Sequence, residues 1–263
     1  VIEWTDFDLA AADELHFDTI NGAIINRVPA GKAALLRGKV KQTGTHPLSI
    51  ISEGSLSMDG AQIDGTYMEI DAAKMTMQNS GITGARVQLR VGESEAGAGT
   101  YHLRTTAPLY LTNTFISVRE IRSMSGAVYL LKNSELKADH INLSIGADIR
   151  ISYGADGTET QEEIAVTRDN TLSLWDSFVL GGDISFRAGG VGIWRGSELG
   201  AEGKITPLVK NVKKPPYILT RTDGSDAKML CGMDSGVWQK GGDVRGFSAV
   251  SFTQTPPIVP VER

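Results

Sequence analysis

Leu172 to Leu199, LSLWDSFVLGGDISFRAGGVGIWRGSEL, nearly repeats itself after nineteen residues. Leu172, Leu174 and Trp175 return as Val191, Ile193 and Trp194, and Leu180 returns as Leu199. A fixed period of short apolar alternations marks an architecture in which each unit buries its apolar side against its neighbours. This stretch predicts a stack of β-coils, with function on the outer surface or in whatever interrupts the stack.

The same period runs through the chain on both sides. Leu56/Met58, Ile63 and Met68/Ile70 return nineteen residues later as Met75/Met77, Ile82 and Val87/Leu89. Leu109/Leu111 return as Val128/Leu130, and Leu130 returns as Ile149. Ser, Thr, Glu, Gln and Arg alternate with the apolar members, so one face of each strand points inward and the other outward. Turn residues travel with the strands, in Met58-Asp59-Gly60, Gln78-Asn79-Ser80-Gly81, Lys132-Asn133-Ser134 and Trp175-Asp176-Ser177. Such residues tolerate left-handed backbone and hydrogen-bond the turn locally.

Corner residues repeating at a fixed interval exclude a β-sandwich, whose strand spacing is irregular. The expected fold is therefore all-β: a single-stranded parallel β-helix, a solenoid of about 19-residue rungs. Roughly eight rungs fit between Ile20 and Leu208. In the N-terminal segment, Glu14-Leu15-His16-Phe17 and Gly22 to Val28 read as short strands, and Leu9 to Leu15 has an alternative reading as a two-turn helix.

Two stretches break the pattern. Gly92 to Thr100, GESEAGAGT, reads as a protruding loop. Tyr153 to Asn170 delays the next rung and carries Asp156, Glu159, Glu162, Glu163 and Asp169; it reads as a solvated acidic loop. Insertions on one flank of a solenoid are frequent binding elements. After Pro207 the period is lost, which divides the chain into a coil over 1–209 and a small irregular C-terminal extension over 210–263.

Bulk composition agrees with this picture. The 263 residues are 41% hydrophobic, with 30 glycines, 9 prolines and a net charge of −5. That suits a turn-rich β protein with a substantial core. The negative balance argues against nucleic acid as a partner, and Lys213-Lys214 reads as part of a linker. The single Cys231 declares no disulfide framework and reads as a structural thiol. No membrane-spanning run or signal peptide is visible; because the chain starts at Val1, this does not argue for a cytoplasmic home.

Catalytic signals are weak. Glycosidases need two carboxylates at a set separation, but Asp59 and Asp64 are followed one period on by Gln78 and Thr83, and Glu69 and Asp71 by Gln88 and Arg90. His16, His46, His102 and His140 have no metal-ligand spacing. Ser235 and Cys231 lie in no nucleophile motif. Gly189-Gly190-Val191-Gly192 lacks the Lys-Ser/Thr and helix of a phosphate loop. No cofactor is expected. The better candidate is a binding surface: alternation puts Trp175 and Trp194 outward on successive rungs, stacked at about 5 Å. With Asp156 and Glu159 of the nearby insertion they form the candidate contact site, or else a seat for the C-terminal arm.

The N-terminal third resembles the secretion domain of filamentous haemagglutinin-like proteins, the two-partner-secretion family. The resemblance rests on Trp4/Phe7, Leu15-His16-Phe17, Asn26-Arg27-Val28, the Leu35-Leu36-Arg37-Gly38 run and the segment Leu48 to Asp64. Ser52-Glu53-Gly54 replaces the family's asparagine-proline-asparagine-glycine turn and keeps only its glycine. The resemblance implies a right-handed β-helix displayed outside a bacterial cell, and it makes Asn26, Arg27 and Val28 fold- or export-determining. The C-terminal Met229-Leu-Cys-Gly-Met-Asp-Ser-Gly-Val-Trp-Gln239 is similar to segments near the ends of shufflon-type pilus-tip adhesins.

The expected function is attachment without catalysis, as an extracellular adhesin domain. Its partners would be a cell-surface glycan or protein receptor, with an outer-membrane transporter or pilus subunits delivering it. The alternatives are a pilus-tip adhesin recognising polysaccharide, a polysaccharide lyase or glycoside hydrolase on the same scaffold, and a structural spacer. Neither nucleic acid nor membrane insertion is expected.

Overall fold

The computed structural model describes residues 1–97, 100–104, 107–153, 159–166, 171–188, 190–207, 212–213, 218–220, 226–227, 229–232, 235–240 and 250–253. Among these the protein is all-β, with no helix. None is therefore long and apolar enough to cross a membrane. The segment Leu9–Leu15 is no exception. Phe7–Leu9 is a strand, Asp13 turns back through its N–H to the Ala10 carbonyl at 2.9 Å, and Glu14–Asp18 is the next strand.

The main sheet is built from parallel pairings between strands one repeat apart. Leu56 pairs with Met75 and Met58 with Met77, while Ile63, Met68 and Ile70 pair with Ile82, Val87 and Leu89. Leu109 and Leu111 pair with Val128 and Leu130, and Leu172, Leu174 and Trp175 pair with Val191, Ile193 and Trp194. Each column of equivalent positions lies in the core. One runs Leu36, Met58, Met77, Leu111, Leu130, Leu174 and Ile193, all buried. Burying each such side chain contributes about 1.5–3 kcal/mol relative to exposure.

Two registers differ from the expected ones. Leu180 pairs with Gly200, and it is Val179 that pairs with Leu199. The corner Arg195-Gly196, with φ of 55° and 70°, takes one more residue than its counterpart at Asp176. Leu130 pairs with Leu174 and not with Ile149. Ile149 pairs antiparallel with Leu103 on one side and Glu163 on the other.

The two pattern-breaking stretches are thus strands, not loops. Glu93–Gly97, Thr100–Arg104, Ala147–Tyr153 and Glu159–Val166 form a separate four-stranded antiparallel sheet. The residues it takes up leave seven positions in the column Val40, Ile63, Ile82, Ile116, Leu136, Val179 and Leu199, one fewer than the eight expected. Parallel pairing also resumes beyond Pro207. Met229–Gly232 pairs with the 190–194 strand, Gly236–Gln239 with 198–201, and Val250–Thr253 with 229–232. The loss of period there is a further interruption, which includes a small antiparallel sheet of 212–213, 218–220 and 226–227.

The repeating corners carry the residues that the sequence places there. Asn79, Asn113, Asn133 and Asp176 adopt φ of 50°, 46°, 53° and 48°, which short polar side chains tolerate best. Next to them stand buried Ser80, Thr114, Ser134, Ser177 and Ser197. Each hydroxyl accepts the N–H of the preceding repeat: Ser80 from Ala61, Ser134 from Thr114, Ser177 from Ser134 and Ser197 from Ser177. The Ser177 hydroxyl also donates to the Trp175 carbonyl at 2.6 Å. Ser177→Ala orphans the buried Ser134 N–H and is expected to destabilise by about 1–3 kcal/mol, measured as a lower urea midpoint. An unchanged midpoint would refute the hydroxyl ladder's role.

Candidate functional site

The two tryptophans are not an outward platform. Trp175 is 3% and Trp194 2% exposed, their ring centroids lie 6.2 Å apart, and the planes are tilted by 36°. The outward side of the strand is right, but the side chains lie along it. Gly192, two residues before Trp194 on the same side, has no side chain, and the Trp194 Nε1 sits 2.7 Å from where a Cβ would be. The Arg195 guanidinium covers the Trp175 ring at 5.5 Å from its centroid. Neither indole N–H has a hydrogen-bond partner.

Asp156 lies outside the described residues. Glu159 opens the strand Glu159–Val166, its backbone opposite Tyr153. The acidic insertion is therefore organised as a hairpin, and the structure does not bring its carboxylates together with the indoles.

Asn26, Arg27 and Val28 occupy three different environments on one strand. Val28 is in the core. Asn26 is buried, and its Oδ1 accepts the indole N–H of Trp4 at 3.1 Å, which holds the Trp4–Phe7 ring pair over the first strands. Arg27 points outward, donating from Nε to Glu53 Oε1 at 2.9 Å and from a second nitrogen to the same oxygen. Glu53 Oε2 accepts the Ala30 N–H at 2.9 Å. These contacts are structural. Glu53, in the turn that departs from the family's pattern, takes part in them.

The hydrogen bond from Arg27 holds the Glu53 carboxyl below the usual carboxylate range, against the opposing effect of burial. A depressed folded-state pKa adds stability above the unfolded value near 4.3 and loses it as pH falls toward the folded value. Glu53→Gln is expected to shrink that acid-side loss, seen by comparing urea midpoints at neutral and acid pH. The contribution is below about 1 kcal/mol, because half-exposed pairs are screened. A variant with the parent's acid limb would disprove the assignment.

Beside this pair lies a cleft of about 630 Å³. Arg27, Ile51, Asp71 and Arg90 are successive partners in one outward row across four strands. Ile25, Ile51, Ala72 and Ala73 give the cleft an aliphatic lining, with Glu53 and Glu93 also contributing. The register shifts between Ser52 and Ser55, so the chain bulges outward at Glu53. Arg90 and Asp71, 7% and 6% exposed, meet at 2.7 Å through Nε and Oδ1. Glu69 Oε2 lies 3.9 Å from Arg90 and accepts the Ser49 hydroxyl at 2.8 Å. Gly92, where the first insertion begins, is on the lining, and its N–H bonds the Ala72 carbonyl. The sequence carried a signal for this cleft: Asp71 and Arg90 are opposite charges one period apart. Counted only as a missing acid ladder, they gave no site.

A second, shallower groove of about 400 Å³ runs over Glu120, Arg122, His140, Asn142, Asp183, Ser185, Lys204 and Thr206. Glu120 pairs with His140 and His140 with Asp183, which spaces the two acids by about 10 Å at ~4.8 Å per strand. Burial raises the Glu120 carboxyl, but the hydrogen bond and charge of Arg122 and the charge of Arg86 outweigh it and hold the group below its usual range. Glu120 is thus poised as a base or acceptor and not as a proton donor at neutral pH. His46 is bonded to the Thr19 carbonyl and His16 to Thr43. Among the described residues no three His, Cys, Asp or Glu groups converge.

No family model matches the chain. No curated protein and no solved structure matches it either.

Proposed function

We propose that the chain is an attachment domain exposed outside a bacterial cell, built as a right-handed single-stranded β-helix and acting by binding without catalysis. The observation that carries this reading is the parallel register itself. Core columns run through seven repeats and leave long rows of outward side chains at fixed spacing, a surface suited to contact with an extended or repetitive partner. Right-handedness follows the strong rule for parallel strand-to-strand crossovers.

Two further features support a binding role. Both long insertions leave the sheet at glycines, Gly92 and Gly146, whose N–H groups bond the preceding repeat in the same way, so one flank gathers the added structure. The acids that line the shallow groove lack the raised carboxyl that a glycosidase's proton donor requires. The partner is a cell-surface glycan or protein receptor, and delivery runs through an outer-membrane transporter or on a pilus.

Beads coated with the chain, counted on epithelial and bacterial cells against beads carrying an unrelated β protein, test the reading. Excess attachment is the expected result. No excess on any surface would overturn it.

A further inference from the structure

We propose that the cleft beside Arg27 and Arg90 binds an uncharged saccharide, a short stretch of a neutral surface glycan. The proposal rests on the attachment reading and names its ligand class and its site. Three properties of the cleft lead to it. Its volume of about 630 Å³ falls within the range of about 300–1,000 Å³ of small-molecule sites, so it admits a few sugar units and not a protein face. Its lining of Ile25, Ile51, Ala72 and Ala73 offers an apolar bed for the C–H face of a pyranose.

The third property is the state of its charges. Arg27 is held by Glu53 and Arg90 by Asp71, so an anionic ligand would have to compete with a carboxylate already in place. A purely apolar ligand would strip water from those pairs without replacing its hydrogen bonds. A hydroxyl is both donor and acceptor. Vicinal hydroxyls therefore bond the remaining guanidinium N–H groups and carboxylate lone pairs together, leaving both ion pairs intact. Saccharides present such hydroxyls on one edge and C–H groups on the face, matching the arrangement of rim and floor.

The cleft is also pre-shaped. The bulge between Ser52 and Ser55 sets Glu53 outward, and the Ala30 N–H and Arg27 fix its carboxylate. Binding then orders few side chains, which favours affinity for a small ligand.

The test uses the whole chain on an array of neutral gluco-, manno- and galacto-oligosaccharides beside sialylated and uronate-containing ones. The same array is read with Ala73→Trp, which fills the cleft without touching either ion pair, and with Ala30→Trp, which blocks it from an exposed position. Thermal melting confirms that each variant is folded; if Ala73→Trp fails to fold, Ala30→Trp carries the comparison. The expected result is binding to neutral oligosaccharides that weakens at least 10-fold in the filled variants at an unchanged melting temperature. Binding confined to acidic glycans, equal binding by the filled variants, or no saccharide binding by the folded chain would each overturn the proposal. The bead assay separates the two readings. Attachment that persists without saccharide binding removes the cleft's assignment alone, and absence of both removes the attachment reading as well.

Discussion

Replacing Trp194 with alanine is expected to cost about 3–5 kcal/mol of folding stability and to leave binding per folded molecule unchanged. The indole is 2% exposed and packs against Trp175 across the bare strand surface at Gly192. Its removal opens a void the size of a large aromatic, which the neighbouring backbone, pinned by parallel pairing to Trp175, has little freedom to fill. Trp194→Phe should lose far less. It keeps most of the apolar volume, and the Nε1 it deletes has no partner to strand. Urea denaturation of both variants, with the bead assay run well below their midpoints, decides the matter. An alanine variant as stable as the parent but unable to attach would return the indoles to the role of a ligand platform.

The second large effect is expected at Asp71. Asp71→Ala removes the carboxylate that meets Arg90 at 2.7 Å in a site where both residues are nearly inaccessible. Breaking a buried pair from one side leaves a desolvated charge and typically costs about 3–5 kcal/mol. Glu69, 3.9 Å from Arg90, offsets part of this, so the lower end of the range is expected. Changing both members, Asp71→Leu with Arg90→Met, should recover most of the loss, because a buried ion pair contributes little net stability over apolar side chains of similar volume. The coupling energy from the double-mutant cycle measures the pair. Additive losses with no recovery would show that the two charges do not act as a unit.

The core was legible in the sequence because an inward position in a repeating parallel sheet tolerates only apolar side chains. Leu56, Met75, Leu109 and Val128 announce one column by spacing and type alone. The corners were legible because left-handed backbone favours Asn and Asp, and a buried hydroxyl must follow to satisfy the turn. What failed has equally physical causes. Ile149 lies one period after Leu130 and alternates as well as any core strand, yet pairing depends on which strand the chain reaches in space. Leu180 was misplaced by one residue because a longer corner at Arg195-Gly196 leaves no mark in apolar spacing. Alternation tells which side of a strand a tryptophan leaves from, but not that a glycine two residues earlier lets it lie flat. The cleft depends on a bulge at Ser52–Ser55 and a pair of opposite charges, and neither belongs to an apolar pattern.

The inserted antiparallel sheet has a mechanical consequence. Thr100–Arg104 belongs to the segment between two repeats and Ala147–Tyr153 to a segment more than one repeat later, yet the two are zipped together over five residue pairs. A sheet held only by successive neighbours peels from a free end one repeat at a time. Here residues 107–146 lie between the two halves of a clasp, and they cannot peel away until the clasp itself is sheared. Under tension applied from the C-terminal side, the strands beyond Thr171 would come off in sequence, and the unravelling would then stall at the clasp. A tether built this way yields length first and still keeps its N-terminal half, with the cleft, intact under load.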